Sequence, residues 1–191
     1  MRQLSLAAIA LLYSLAVPAE APAQEHAVRT LMDFDNGPGE ARWVAVNDGV
    51  MGGRSSGGPT VADGRLEFSG TLSLANNGGF SSVRSVGRDF DLSDASHMIL
   101  RVRGDGRRYQ LRLATDARYR GMPISYGAGF DTTAGVWAEV RLPLAALRPT
   151  VRGSTLQGPP LDPSRVGEIG LLIADKREGA FTLLVDWIAA E

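Results

Sequence analysis

Side chains suited to chemistry are few in this sequence and poorly grouped. His26 and His97 are its only imidazoles, and it has no cysteine. That removes thiolate zinc sites, iron–sulfur ligation, disulfides and cysteine nucleophiles, and two histidines cannot build a three-histidine metal centre. A Ser–His–acid relay would need one of the two. His26 stands near the N-terminus and His97 opens an alternating segment directly after an acidic turn, and neither lies in a nucleophile motif. Asp89, Asp91 and Asp94 have the close spacing of a calcium loop, but its glycine and terminal glutamate are missing, so they read as a turn whose carboxylates cap backbone groups. Gly49-Val50-Met51-Gly52-Gly53-Arg54 lacks the Gly-Lys-Ser/Thr ending of a phosphate loop, and no helix follows to hold an anion. The chain is expected to bind rather than to make bonds, with no catalytic residue, metal or cofactor.

Two other segments concentrate groups that can recognise a ligand. Trp43 to Ser56 packs an aromatic, Asn47, Asp48, three glycines and Arg54 behind one strand, and Asn76-Asn77-Gly78-Gly79-Phe80-Ser81-Ser82-Val83-Arg84 leads into another. As scaffold, the glycines and asparagines take left-handed turn positions while Trp43 and Phe80 fill the core. As a site, Asn47, Asp48, Arg54, Asn76, Asn77 and Arg84 converge at one end of the fold.

The elements behind these loops are strands. Apolar residues recur with period two in short runs divided by Gly, Asn, Asp and Pro. His97 to Arg103, then Gly104-Asp105-Gly106-Arg107, then Arg108 to Leu113 predicts a hairpin, with Met98, Leu100, Val102, Tyr109, Leu111 and Leu113 on one face. Arg101, Arg103, Arg108 and Arg112 would share the other face, joined by Trp137, Glu139 and Arg141 if Val136–Leu142 is the neighbouring strand. Arginine forks suit carboxylates and phosphates, and tryptophan suits a sugar face or a partner side chain. Further strands are expected over Thr30–Phe34, Ala41–Val46, Arg65–Ser69, Thr71–Leu74, Phe80–Arg84, Ile124–Phe130, Glu168–Ala174 and Phe181–Trp187. Leu142–Leu147 allows one short turn, Arg152–Pro163 reads as a surface loop, and Trp187 reads as core. Such spacing favours an all-β sandwich or a barrel.

The chain has 191 residues with 20 basic and 21 acidic side chains and a formal net charge of -1. That balance gives no bulk attraction to nucleic acid or anionic membrane. Arg2, an apolar run from Leu4 to Val17 and Ala21-Pro22-Ala23 predict a cleavable signal peptide over residues 1–23, too short to span a bilayer comfortably. Residues 24–191 would form one domain, without a membrane span, in a bacterial periplasm or beyond.

The string Val46-Asn47-Asp48-Gly49-Val50-Met51-Gly52-Gly53-Arg54-Ser55 is followed by Asn76-Asn77-Gly78-Gly79-Phe80, Arg84 and Arg103-Gly104-Asp105-Gly106-Arg107-Arg108-Tyr109. Trp137 ahead of Leu142-Pro143, Ile169-Gly170 and Asp186-Trp187-Ile188 complete the set. Over nearly the whole chain after residue 23, this pattern resembles the NADH:ubiquinone oxidoreductase (complex I) intermediate-associated protein family. The resemblance implies a galactose-binding-domain-like jelly-roll β-sandwich of two antiparallel sheets. It also implies a chaperone-like assembly role, with no catalytic residues to carry over. Two functions are therefore expected: a protein partner in assembly of an envelope or respiratory complex, or, as an alternative, a carbohydrate-binding module. Candidate contacts are Asn47, Asp48, Arg54, Asn76, Asn77, Arg84, Arg101, Arg103, Arg112 and Trp137.

Overall fold

Alternating residues become strands wherever one face can be buried, and here they supply two sheets that bury their apolar faces against each other. The computed structural model describes residues 27–35 and 41–191. The expected signal peptide and His26 lie outside the described residues. The strands are β1 (Arg29–Asp33), β2 (Arg42–Asn47), β3 (Ser56–Ala62), β4 (Arg65–Leu72), β5 (Ser81–Val86), β6 (His97–Arg103) and β7 (Arg108–Tyr119). They continue with β8 (Met122–Asp131), β9 (Trp137–Pro143), β10 (Arg148–Val151), β11 (Ser154–Thr155), β12 (Glu168–Ile173) and β13 (Gly179–Ala190). Helical geometry among the described residues is confined to short 3-10 turns, including Leu144–Ala146 in the stretch where one turn is expected.

One sheet runs β3-β4-β13-β6-β9, with β1 also paired to β13, and the other runs β11-β10-β8-β7-β12-β5-β2. The pairs named here are antiparallel. Phe68 and Phe181 of the first sheet meet at 4.9 Å between ring centroids, and Phe68 reaches Tyr109 of the second sheet edge-on at 6.4 Å. Tyr109 continues to Phe130 at 6.2 Å, so one aromatic chain spans the interior.

The expected hairpin is corrected. β6 and β7 lie in different sheets: β6 pairs with β13 and β9, while β7 pairs with β12 and β8. Their apolar faces point at each other across the core, which places Arg101 and Arg103 on one outer surface and Arg108 and Arg112 on the opposite one. Period two fixes which face is apolar but not which sheet a strand joins. The segment 104–107 therefore crosses between layers. Asp105 accepts the Tyr109 hydroxyl and the backbone amides of Arg107 and Thr182. Arg107 is 5% exposed; its Nε and Nη2 grip the two oxygens of Asp175 at 2.9 and 2.6 Å, and its Nη1 donates to the carbonyls of Gly179 and Ala180.

Smaller corrections follow from packing. Arg65–Ser69 and the start of Thr71–Leu74 form one strand through Gly70 that ends at Leu72, and β3, unforeseen because Gly57, Gly58 and Pro59 are poor strand formers, pairs along β4 at the sheet edge. Phe80 and Trp187 are only half-buried, whereas Trp43 is buried.

Candidate functional site

The two glycine-rich loops meet, and Asp48 joins them. It sits at the start of a 3-10 turn, Asp48–Met51, and is fully buried. Its oxygens accept the Ser55 amide at 2.9 Å, the Ser55 hydroxyl at 2.5 Å, the Gly79 amide at 2.6 Å and the Phe80 amide at 3.2 Å. Burial pushes this carboxyl's pKa up, but the hydrogen bonds from Ser55, Gly79 and Phe80 outweigh it and hold the group below the usual carboxylate range. Gly53 and Gly78 are needed for the approach: a Cβ on Gly53 would lie 2.3 Å from Asp48 Cγ, and one on Gly78 would lie 2.6 Å from Asp48 Oδ2.

Around this carboxylate the remaining loop residues mostly hold backbone. Asn47 Nδ2 donates to the Gly57 carbonyl at 3.0 Å, and its Oδ1 accepts the Ser81 hydroxyl at 2.6 Å. Asn76 donates to the Gly52 carbonyl at 3.1 Å, and Asn76 and Asn77 take left-handed φ values of 57° and 58°. Arg54 is exposed and holds no ion pair among the described residues. The turn presents Val50 at 75% exposure and Met51 at 61%, with Leu74 at 40% on the second loop.

Arg84 does not join this end. It projects from the middle of β5 onto the outer face of the seven-stranded sheet, 3.8 Å from Glu168. Arg112 of β7 shares that face and is held by neutral groups: Ser125 Oγ at 3.0 Å, Gln110 Oε1 at 3.0 Å and Thr150 Oγ1 at 2.6 Å. Burial, and then the Arg84 charge, draw the Arg112 pKa below the ordinary arginine value. Burial raises Glu168 against the pull of both arginines.

The other outer face carries Trp137. β9 pairs with β6, placing Trp137 opposite Arg103 and Glu139 opposite Arg101. Arg65, Arg101 and Arg103 lie 5.6, 5.8 and 5.3 Å from the Trp137 ring centroid. Arg101 Nε stands 3.1 Å from Asp186, close enough for charge attraction but not aligned for a hydrogen bond. The ten candidate residues thus divide among three places: a loop end and two opposite sheet faces. Sequence reading missed the inter-sheet role of Asp105 and Arg107; an arginine beside a strand of otherwise apolar inward positions was the available signal. At the acidic turn, Asp91 accepts the Ser93 amide and hydroxyl, and Arg29 contacts Asp94 at 3.2 Å.

The loop end and the crossover hold the most distinctive strings of the sequence, and a model of the complex I intermediate-associated protein 30 family matches residues 32–185. The chain belongs to this family. A curated member, the mitochondrial complex I intermediate-associated protein 30 of Mus musculus, is 27% identical over 77% of this chain. The aligned region is 51% of that protein, so the chain spans about half the length of its curated relative.

Solved structures show the fold of this family member. A family 11 carbohydrate-binding module from Clostridium thermocellum, in complex with a β-1,3-1,4-mixed-linked tetrasaccharide, has a TM-score of 0.62 at 16% identity, covering 85% of this chain and 94% of that one. An agarase has a TM-score of 0.58 at 14% identity, covering 86% of this chain and 24% of the enzyme. At such identities the likeness establishes the jelly-roll β-sandwich and nothing about ligands. In this complex I intermediate-associated protein 30 relative, the string from Asn47 to Ser55 is spent on closing the Asp48 carboxylate, and that from Arg103 to Tyr109 on joining the two layers.

Proposed function

We propose that this chain is a non-catalytic, exported binding module that acts as an assembly factor, taking a partner protein on the loop end that presents Val50 and Met51. The observation that carries this reading is an apolar pair held out on a turn whose base is locked by a buried carboxylate. Isolated exposed apolar residues need no explanation. Here, however, Val50, Met51 and Leu74 stand on two loops tied together through Asp48, Ser55 and Asn76. An apolar tip rimmed by Asn76, Asn77 and Arg54 has the anatomy of a small protein-binding hot spot, and methionine adapts its shape to a partner's pocket. A sugar would ask instead for an aromatic face and polar side chains.

Family membership supports the assembly role. The non-catalytic reading is supported by how the two motif carboxylates are used: Asp48 and Asp105 give their oxygens to backbone amides and to the Ser55 and Tyr109 hydroxyls. Export is supported by Arg2, the apolar run to Val17 and the Ala21-Pro22-Ala23 triplet. On this reading the partner belongs to an envelope or respiratory complex.

Affinity capture from the native envelope, with Val50→Ser and Met51→Ser as comparators, tests the reading. The expected result is a protein partner lost in both variants while their melting temperatures stay with the wild type. Capture unchanged by both substitutions would overturn it. Recovery of the chain from the envelope with its N-terminus near Gln24 is expected, and retention of residues 1–23 on cytoplasmic material would overturn the export step.

A further inference from the structure

Alternation fixes which backbone groups of an antiparallel strand face which neighbour, and in β9 it leaves one row unused. His97 exchanges backbone hydrogen bonds with Glu191 at 2.8 and 3.0 Å, so the odd-numbered residues of β6 turn their amides and carbonyls toward β13 and the even-numbered ones toward β9. The Leu144 amide accordingly donates to the Ser96 carbonyl at 2.9 Å. In the β6–β9 register it is then Ala138, Val140 and Leu142 that bond to β6, and the backbone groups of Trp137, Glu139, Arg141 and Pro143 point away from it. β9 ends its sheet, so this row faces no further strand among the described residues. The other sheet margins are guarded: β11 is two residues long, and β2 and β3 are tied together through Asn47 on the Gly57 carbonyl.

We propose that this edge pairs with the same edge of a second copy of the chain, antiparallel, about a two-fold axis through Val140. The strand is self-complementary in that register. Glu139 lies opposite the partner's Arg141 on the outer face, twice over by symmetry, and Trp137 lies opposite the partner's Pro143. The Glu139 amide donates to the partner's Arg141 carbonyl, the Arg141 amide to the partner's Glu139 carbonyl, and the Trp137 amide to the partner's Pro143 carbonyl. Pro143 has no N–H to give, and it stands where only its carbonyl is needed. Sliding one copy by two residues sets Glu139 against the partner's Glu139, or Arg141 against the partner's Arg141; sliding by one opposes outer to inner side chains. The side chains of Glu139 and Arg141 are 57% and 49% exposed; Glu139 stands 4.0 Å from Arg101, and Arg141 meets Glu191 at the end of its own chain.

The inner side of β9 supplies a second, independent observation. Alternation turns Ala138, Val140 and Leu142 toward the core, yet Leu142 is buried, Val140 half-buried and Ala138 exposed, and Val136 just before the strand is 51% exposed. The core runs out toward the Trp137 end. Antiparallel pairing brings the partner's Leu142 beside Ala138 and the partner's Val140 beside Val140, so the covered end of each strand meets the open end of the other. Any extended peptide can bond to a bare backbone row, but this one also asks for an acid and a base two residues apart, which a second copy brings with it.

Sedimentation of the whole chain over rising concentration, up to about 1 mM, tests the dimer. A monomer–dimer equilibrium is expected, weakened about tenfold or more in Glu139→Arg and in Arg141→Glu. Mixing these two variants should restore association, because each brings the charge that the other has lost. Cysteine substitution reads the register, since the chain has no thiol of its own. Val140→Cys should form an intermolecular disulfide on air oxidation, its two sulfurs meeting at the axis, whereas the more exposed Ala138→Cys, opposite the partner's Leu142, should do so about tenfold more slowly. A monomer at every concentration, a dimer indifferent to both charge reversals, a mixture no tighter than its components, or cross-linking as fast through Ala138→Cys would each overturn the proposal. The disulfide readout needs no charge reversal, so it decides the matter even if Glu139→Arg or Arg141→Glu fails to fold.

Discussion

The carboxylate of Asp48 accepts the backbone amide of Gly79 at 2.6 Å, joining positions 31 residues apart. The same carboxylate takes the Ser55 amide and hydroxyl, so one side chain sets the position of both loops and of the turn bearing Val50 and Met51. An ionised group so enclosed by donors cannot be replaced by a neutral isostere without leaving N–H groups opposed.

Asp48→Asn is therefore expected to lower stability by about 2–4 kcal/mol, measured by urea unfolding at neutral pH. The pH dependence has a definite sign. The Asp48 carboxyl titrates below its ordinary value of 3.8 in the fold, so its contribution is complete above that value and drains away as pH falls through the lower folded value. Unfolding midpoints compared between about pH 6 and about pH 3 should drop more steeply in the wild type than in Asp48→Asn. Parallel acid limbs would contradict this.

Two glycines separate close approach from turn conformation. Gly53→Ala would force a methyl into Asp48 Cγ at 2.3 Å, whereas Gly49→Ala meets nothing within 4 Å. The first should cost about 2 kcal/mol or more and the second less than about 0.5 kcal/mol, read from thermal melts. Equal melting temperatures in the two variants would show that the carboxylate can move aside.

Arg107 and Asp175 form a two-pronged pair with side chains 5% and 7% exposed. Removing one partner strands a buried charge, so Asp175→Asn and Arg107→Ala should each lose about 3–5 kcal/mol. Arg107→Lys should recover little, because an ammonium cannot serve both Asp175 oxygens and the carbonyls of Gly179 and Ala180 together. Chemical denaturation of the three variants checks the order.

The arginine-ringed Trp137 lies at a half-exposed surface, where each ring–guanidinium contact contributes about 0.5–1 kcal/mol. Trp137→Ala is expected to cost about 1–2 kcal/mol, read from urea unfolding.

Much of the layered architecture was legible because strands such as His97–Arg103 and Glu168–Ile173 repeat large apolar residues at every second position, Met98, Leu100 and Val102 in one and Ile169, Leu171 and Ile173 in the other, which tells which side is inward even though Ile99 and Leu172 are apolar too. Pairing was not legible. Gly104-Asp105-Gly106 has the composition of a tight reversal, yet Asp105 caps Thr182 in the opposite layer and Arg107 is drawn inward by Asp175. The edge strand β3 escaped notice because Gly57, Gly58 and Pro59 carry no strand propensity, and its place is set by its pairing along β4 and by the Asn47 side chain on the Gly57 carbonyl. Loop convergence could be anticipated for Asn47, Asp48 and Asn76 from turn chemistry. The shared face of Arg84, Arg112 and Glu168 could not, since it exists only once three separate segments have taken their registers.

The strand β13, Gly179–Ala190, runs through the interior of its sheet and pairs with β1, β4 and β6. During synthesis that layer stays open until this late segment has left the ribosome, and the half-made protein exposes both unfinished strand edges and apolar side chains in the meantime. A holdase engaging the nascent chain therefore has a long window in which to act, and a stop codon before residue 179 would leave a product with no way to close.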